Sequence, residues 1–360
     1  MLSPKPAFAA RDLAEPILEP DLPIVDAHHH LWLLTEDALA AIETSDTAIA
    51  RGLAPTSRRY ARYLLDELLS DVNTGHNIRA TVYIDAHAMY RTSGPDSLRS
   101  VGEVEFANGV AAMSASGAFG DIKACAGIVG NVDLRIGDAA EEVLNAHLRS
   151  GGARYRGVRC GALTAYDADT AIFGPGIPHL LQDPDFRLGF RWLQRLGLSY
   201  DVFVLEPQLP DVMDLARAFS DTPIILNHVG VPLGVGQYAG KRQERFPIWR
   251  RNIRALSTCE NVVVKLGGLG LPLANFRSVA SGTLSTSEVL AKEWKSYIDS
   301  CIDAFGVHRC MFESNFPVDA GAYSYPVVWN VFKRLTVGAS KDEKAALFSG
   351  TATKVYRLDV

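Results

Sequence analysis

The 360-residue sequence has no CxxC pair, no glycine-rich phosphate loop, no nucleophile elbow and no apolar run near the ~18 residues of a membrane span. Each absence excludes a class. Its five cysteines, Cys125, Cys160, Cys259, Cys301 and Cys310, are odd in number and scattered, which argues for reduced core thiols over a disulfide framework or zinc knuckle. Charge of one sign is not in excess: 36 Lys and Arg against 41 Asp and Glu leave a formal −5. A phosphate-seeking surface would be basic, so no nucleic-acid partner is expected. The first twenty residues carry Lys5, Arg11, Asp12, Glu15 and Glu19 without an apolar core, so no signal peptide is read there. The expectation is a cytoplasmic protein with no membrane partner.

What is present is 48% hydrophobic residues, enough for a large core and too many for a disordered chain. Short β-branched runs recur at Ile24–His28, Ala80–Asp85, Ala124–Val129, Tyr155–Arg159, Tyr200–Val204, Pro223–Asn227, Val262–Leu266 and Cys310–Glu313. Helix-period segments such as Ala139–Arg149, Asp211–Phe219 and Ser287–Phe305 lie between them. This alternation predicts α/β architecture, a single (β/α)8 barrel over residues 21–360 after an extended N-terminal segment, 1–20. A doubly wound open sheet is the rival. It would want a glycine-rich turn after the first strand, where the sequence has His28-His29-His30-Leu31-Trp32. Long connections run from Leu31 to His76 (with a helix expected near Tyr60–Leu69), from Gly230 to Phe246 and from Gly267 to Ser285. All leave the ends of strands where barrel active sites are built.

Side chains alternate along a strand, so Asp26, His28 and His30 are predicted to share one face and His29 the other. Two imidazoles so placed can ligate a metal or donate jointly to a carbonyl oxygen; buried histidines satisfied by backbone are the competing reading. His228 ends the sixth run and should reach the same mouth. Glu313 and Asn315 follow the eighth, a carboxylate there being a candidate acid or base, and Asp319 beyond Pro317 reads first as a cap. Arg159 is the candidate to hold a substrate carboxylate, with Arg91 and Tyr90 as weaker pocket residues. Lys265, within an apolar strand, needs a buried partner, for which Glu313 is the expectation.

These pieces, Asp26-Ala27-His28-His29-His30-Leu31-Trp32, Asn227-His228-Val229-Gly230, Val264-Lys265-Leu266-Gly267-Gly268 and Phe312-Glu313-Ser314-Asn315-Phe316-Pro317-Val318, resemble the amidohydrolase superfamily, and within it the amidohydrolase-2 branch with its TIM-barrel fold and lactonases. The resemblance implies that His28, His30 and His228 polarise a scissile carbonyl while an eighth-strand acid activates water. It is compatible with a divalent metal, Zn or Mn, on His28 and His30 with Glu313 or His228 as a further ligand. The fifth run, however, continues Phe203-Val204-Leu205-Glu206-Pro207 without the histidine that decarboxylase-type sites add there, so a metal-free site stays open. The sequence departs where the usual Ser-Asp-Trp-Pro reads Ser314-Asn315-Phe316-Pro317. Asn315 cannot take a proton from water, so Glu313 is the natural substitute and Asp319 the second. The expected function is hydrolysis of a lactone or other carboxylate-bearing ester. Alternatives are metal-dependent decarboxylation of an aromatic or muconate-like acid, and a binding protein that has lost catalysis. The expected partner is a small molecule, with homo-oligomers compatible.

Overall fold

The computed structural model describes residues 15–161, 166–171, 176–280 and 284–360. Its strands, numbered around the barrel, are β1 Pro23–His29, β2 Asn77–Ile84, β3 Lys123–Gly130, β4 Tyr155–Val158, β5 Ser199–Val202, β6 Ile224–Leu226, β7 Val262–Leu266 and β8 Cys310–Phe312. They pair in sequence order, every pair parallel. A bridge between His29 and Phe316 brings the last strand to the first, with His30 N donating to Phe316 O at 2.8 Å and Asn315 N to His28 O at 3.0 Å. All eight runs read from the sequence are strands of this TIM barrel, because β-branched segments covered on both faces suit a parallel sheet.

A helix follows each strand: α1 Leu65–Val72, α2 Val101–Ala115, α3 Ala140–Gly151, α4 Pro184–Arg195, α5 Leu209–Ala218, α6 Arg242–Leu256, α7 Ser287–Phe305 and α8 Tyr325–Leu335. Local chemistry sets their ends. Asp183 caps α4, accepting from Phe186 N at 2.9 Å with Pro184 at the first helical position. Gly306, at φ 75°, stops α7 in a conformation that favours glycine. Among the described residues, no helix is long and apolar enough to cross a membrane.

Two cores result. Phe186, Phe190, Trp294 and Phe332 pack between helices and the outer strand faces. Val25, Ala27, Val82, Ile84, Ile225, Val263 and Met311 fill the barrel, joined by Ala352, Tyr356 and Leu358 from the C-terminal tail. The tail crosses the N-terminal strand ends, where Lys123 Nζ donates to Asp359 O at 2.6 Å and Arg156 to Arg357 O at 2.9 Å. The five thiols are buried and unpaired, as expected.

The first long connection departs from expectation. The helix expected near Tyr60–Leu69 is present but shifted, as α1, and the connection adds helices Glu36–Glu43 and Ala48–Arg59 and a two-stranded ribbon pairing Trp32–Leu33 with Arg62–Tyr63. That pairing, with Trp32 Nε1 donating to Tyr60 O at 2.7 Å, holds Tyr60–Tyr63 out of helix, and α1 starts only at Leu65. Residues 1–14 of the N-terminal segment lie outside the described residues, as do 281–283 of the seventh connection. The described lead-in is strapped to α7 and α8. The Glu15 carboxylate accepts from Ser287 N at 2.7 Å, and Lys333 donates to Leu18 O and Glu19 O at 2.7 and 2.8 Å.

Candidate active site

Strict alternation fails on β1, and the failure builds the site. Val25 and Ala27 face the barrel interior, whereas Asp26 faces the other way. There it accepts from Ser314 N (2.9 Å), Ser314 Oγ (2.6 Å) and Tyr325 Oη (3.0 Å). A register shift between Asp26 and His29 changes the parity, so His28 turns inward after Ala27. Asp26 therefore does not share a face with His28 and His30 and acts as a clasp between β1 and the β8 loop. Burial raises its carboxyl to about 6 against the pull of these donors. His29 points outward to Thr81 Oγ1 at 2.8 Å, and burial lowers it to about 3.

Inside, His28, His30, His228 and Glu313 converge, all essentially without solvent exposure. His28 Nε2 lies 3.1 Å from His30 Nε2, and His30 Nδ1 donates to Ile84 O at 2.9 Å. Glu313 Oε1 accepts from His228 Nδ1 at 2.7 Å and from His228 N at 3.2 Å. His228 sits in left-handed backbone at φ 55°, beside Gly268, where any Cβ would strike its ring. Glu313 Oε2 lies 2.8 Å from His28 Nδ1, yet it is buried without an aligned hydrogen-bond partner. Burial and the Lys265 ammonium hold His28 well below its usual range; burial and Arg159 do the same for His30. Both imidazoles are neutral at pH 7 and able to ligate or to donate one proton each.

The other sequence-derived candidates fall into two groups. Arg159 is at the site: Nη1 reaches toward His28 Nε2 at 3.4 Å, and the guanidinium stands over the Phe203 ring at 5.9 Å. Its other nitrogens bind Asp85, Nε to Oδ1 at 2.6 Å and Nη2 to the backbone carbonyl. Lys265 lies just beneath, but its ion-pair partner is Asp201 at 2.8 Å, not Glu313. Asp201, on β5 with only β6 between it and Lys265 on β7, supplies the pairing because it also points inward, where it is bound by Tyr356 Oη (2.8 and 3.0 Å) and Asn227 Nδ2 (3.0 Å). Asn315 Nδ2 donates to Asp319 Oδ1 at 2.9 Å, and Asp319 Oδ2 accepts from Gly270 N (3.1 Å) and Tyr323 Oη. Asp319 is thus no helix cap. The short turn Val318–Gly321 is preceded by Pro317, and the carboxyl, raised by burial to about 6, ties the β8 loop to the β7 loop. Arg91 is exposed and paired with Glu105, and half-buried Tyr90 stacks on His87 at 5.9 Å.

Sequence reasoning missed Asp85, Asp201 and Phe203. Asp201 had a signal, an acid inside the apolar run Tyr200-Asp201-Val202, the same signal that singled out Lys265.

The donor set fits a divalent metal. His28, His228 and Glu313 offer ligand atoms within 4.8 Å of one another, and two nitrogens with a carboxylate oxygen suit Zn²⁺ or Mn²⁺. The unpartnered Glu313 Oε2 is an acceptor that such an ion would satisfy.

The chain is 32% identical over 339 residues to an uncharacterised protein of Sinorhizobium fredii, covering 94% of this chain and 99% of that one. It is 33% identical over 234 residues to an L-fucono-1,5-lactonase of Burkholderia multivorans, covering 65% and 72% of the two chains. A crystal structure of an amidohydrolase from Burkholderia multivorans with bound zinc superposes with a TM-score of 0.67 at 29% identity, over 93% of this chain and 99% of that one. The amidohydrolase-2 family model matches residues 25–358, so the chain belongs to that family and is a hydrolase.

Proposed function

We propose that this enzyme hydrolyses a cyclic ester, with His228 and Glu313 as a base dyad and His28 as the donor to the ester carbonyl. The observation that carries the reading is the 2.7 Å contact between His228 Nδ1 and Glu313 Oε1. A carboxylate holding Nδ1–H leaves the lone pair of His228 on Nε2, the atom that can take a proton from water. The hydroxide so formed attacks the ester carbonyl. Negative charge on its oxygen falls to His28 Nε2–H and Arg159 Nη1–H, which lie 3.4 Å apart. Collapse breaks the ring C–O bond, and the departing alkoxide recovers the proton from His228, giving a hydroxy acid. A divalent metal held by this donor set would supply Lewis-acid polarisation of the same carbonyl.

Half-buried Trp32, stacked 6.0 Å from His30, and half-buried Phe203, edge-on to His228 at 5.2 Å, offer flat faces that favour a ring as substrate. Arg159, already neutralised by Asp85, serves the ring carbonyl in this reading and not as a free clamp for a substrate carboxylate. The test is acid release from a panel of five- and six-membered lactones, with and without chelation. Glu313→Gln and His228→Gln should each lower kcat about 10²–10⁴-fold. Turnover that survives both substitutions would remove the dyad from the mechanism.

A further inference from the structure

Each ring nitrogen of His28 faces two neighbours whose hydrogen-bonding demands conflict. Nδ1 lies 3.3 Å from Lys265 Nζ and 2.8 Å from Glu313 Oε2; Nε2 lies 3.1 Å from His30 Nε2 and 3.4 Å from Arg159 Nη1. An ammonium donates only, so the Lys265 contact requires a lone pair on Nδ1. His30 donates its own proton from Nδ1 to Ile84 O, so its Nε2 is an acceptor and requires a proton on His28 Nε2. These two demands agree. Glu313 and Arg159 demand the opposite tautomer, but Glu313 Oε2 has no aligned hydrogen bond and the Arg159 contact is the longest of the set.

We propose that Lys265 is a positioning residue that fixes the His28 proton on Nε2, and that it thereby opposes a divalent metal on the His28–His30 pair. A metal on that pair needs both Nε2 lone pairs. The proton caps one of them, and an ammonium 3.3 Å from the ring adds like-charge repulsion. Lys265 holds its place because Asp201 pairs with it at 2.8 Å, and Asp201 is itself gripped by Tyr356 from the C-terminal tail. Moving the proton to Nδ1 would give Glu313 Oε2 its missing donor and free Nε2 for an ion. Lys265 and Glu313 therefore pull the imidazole in opposite directions, one toward carbonyl donation and the other toward metal ligation. The catalytic meaning of the donated proton rests on the base-dyad reading above; the tautomer and the metal affinity do not.

The test uses the full chain labelled with ¹⁵N-histidine, after chelation, the His28 signals being assigned by their loss in His28→Gln. The wild type should show a protonated Nε2 and an unprotonated Nδ1 on His28. Lys265→Met alone leaves Asp201 buried without its cation, so Lys265→Met/Asp201→Asn, which removes both charges, is the matched variant. It should shift the proton toward Nδ1 and tighten zinc binding, measured by competition with a chromophoric chelator, by about tenfold or more. Adding Glu313→Gln should reverse that gain. A wild-type His28 protonated on Nδ1, or zinc affinity unchanged by the matched pair, would overturn the proposal. Absence of lactone turnover in the wild type would instead count against the base dyad and leave the tautomer assignment standing.

Discussion

The barrel interior holds two buried polar layers that differ in how well their carboxylates are matched. In the lower layer, Asp201 accepts from Lys265 at 2.8 Å, from Tyr356 at 2.8 and 3.0 Å and from Asn227 at 3.0 Å. In the upper layer, at the mouth, Glu313 Oε2 lacks a partner and His28 is contested between donors and acceptors. A matched buried ion pair locks the strands that carry it, and losing one member leaves a bare charge. An unmatched carboxylate beside neutral imidazoles costs stability and retains the capacity to bind water, substrate or an ion. On the proposed mechanism the lower layer is scaffold and the upper carries the chemistry.

The largest expected effect is on rate. If His228 and Glu313 act as a unit, His228→Gln/Glu313→Gln should lower kcat/KM on a confirmed lactone no further than the worse single variant, a loss of about 10²–10⁴-fold in either case. Losses that multiply would mean that the two residues work independently. Next in size is a stability effect in the lower layer. Asp201→Ala leaves Lys265 without its carboxylate and should cost about 3–5 kcal/mol in urea unfolding. A cost below ~1 kcal/mol would erase the proposed division between the layers.

The pH dependence of stability sharpens the comparison further. Burial holds His28 and His30 below the ordinary 6.5, and lowers His29 to about 3 and His76 and His147 to about 4. The unfolded chain then binds protons that the fold refuses, so stability present above pH 6.5 is lost as pH falls, by up to ~1.4 kcal/mol per unit for each histidine. Asp26 and Asp319, raised to about 6, work the other way, since the folded protein takes up their protons first. Urea midpoints should therefore drop between pH 7 and 6 and keep dropping below 6, because the five lowered histidines outweigh the three raised carboxyls, Asp26, Asp319 and Glu103 (raised to about 8). A midpoint that rises from pH 7 to 6 would contradict the neutral histidines. The smallest effect is expected at Arg91. Its exposed pair with Glu105 lies outside both layers, so Arg91→Ala should leave kcat/KM and the unfolding midpoint unchanged within error.

Much of this was legible in the sequence. The eight apolar runs announce the barrel because covered parallel strands need β-branched residues on both faces. His28, His30, His228 and Glu313 stood out as polar residues at the ends of such runs, and the fold brings them together. The parity of Asp26 was not legible, because strict alternation carries no mark of the register shift that breaks it. Nor were the pairings of Arg159 and of Lys265, although Asp201 itself stood out as an acid inside an apolar run. Asp85 and Asp201 meet them across one intervening strand, and Tyr356 reaches Asp201 from 155 residues away.

The most direct test of the contrast between the layers takes kcat and unfolding free energy from one preparation of Glu313→Gln. The account predicts kcat lowered about 10²-fold or more, with stability unchanged or raised, because glutamine keeps an oxygen to accept from His228 and replaces the one without an aligned hydrogen bond. A variant that loses stability while keeping kcat would place Glu313 in the scaffold and contradict the account.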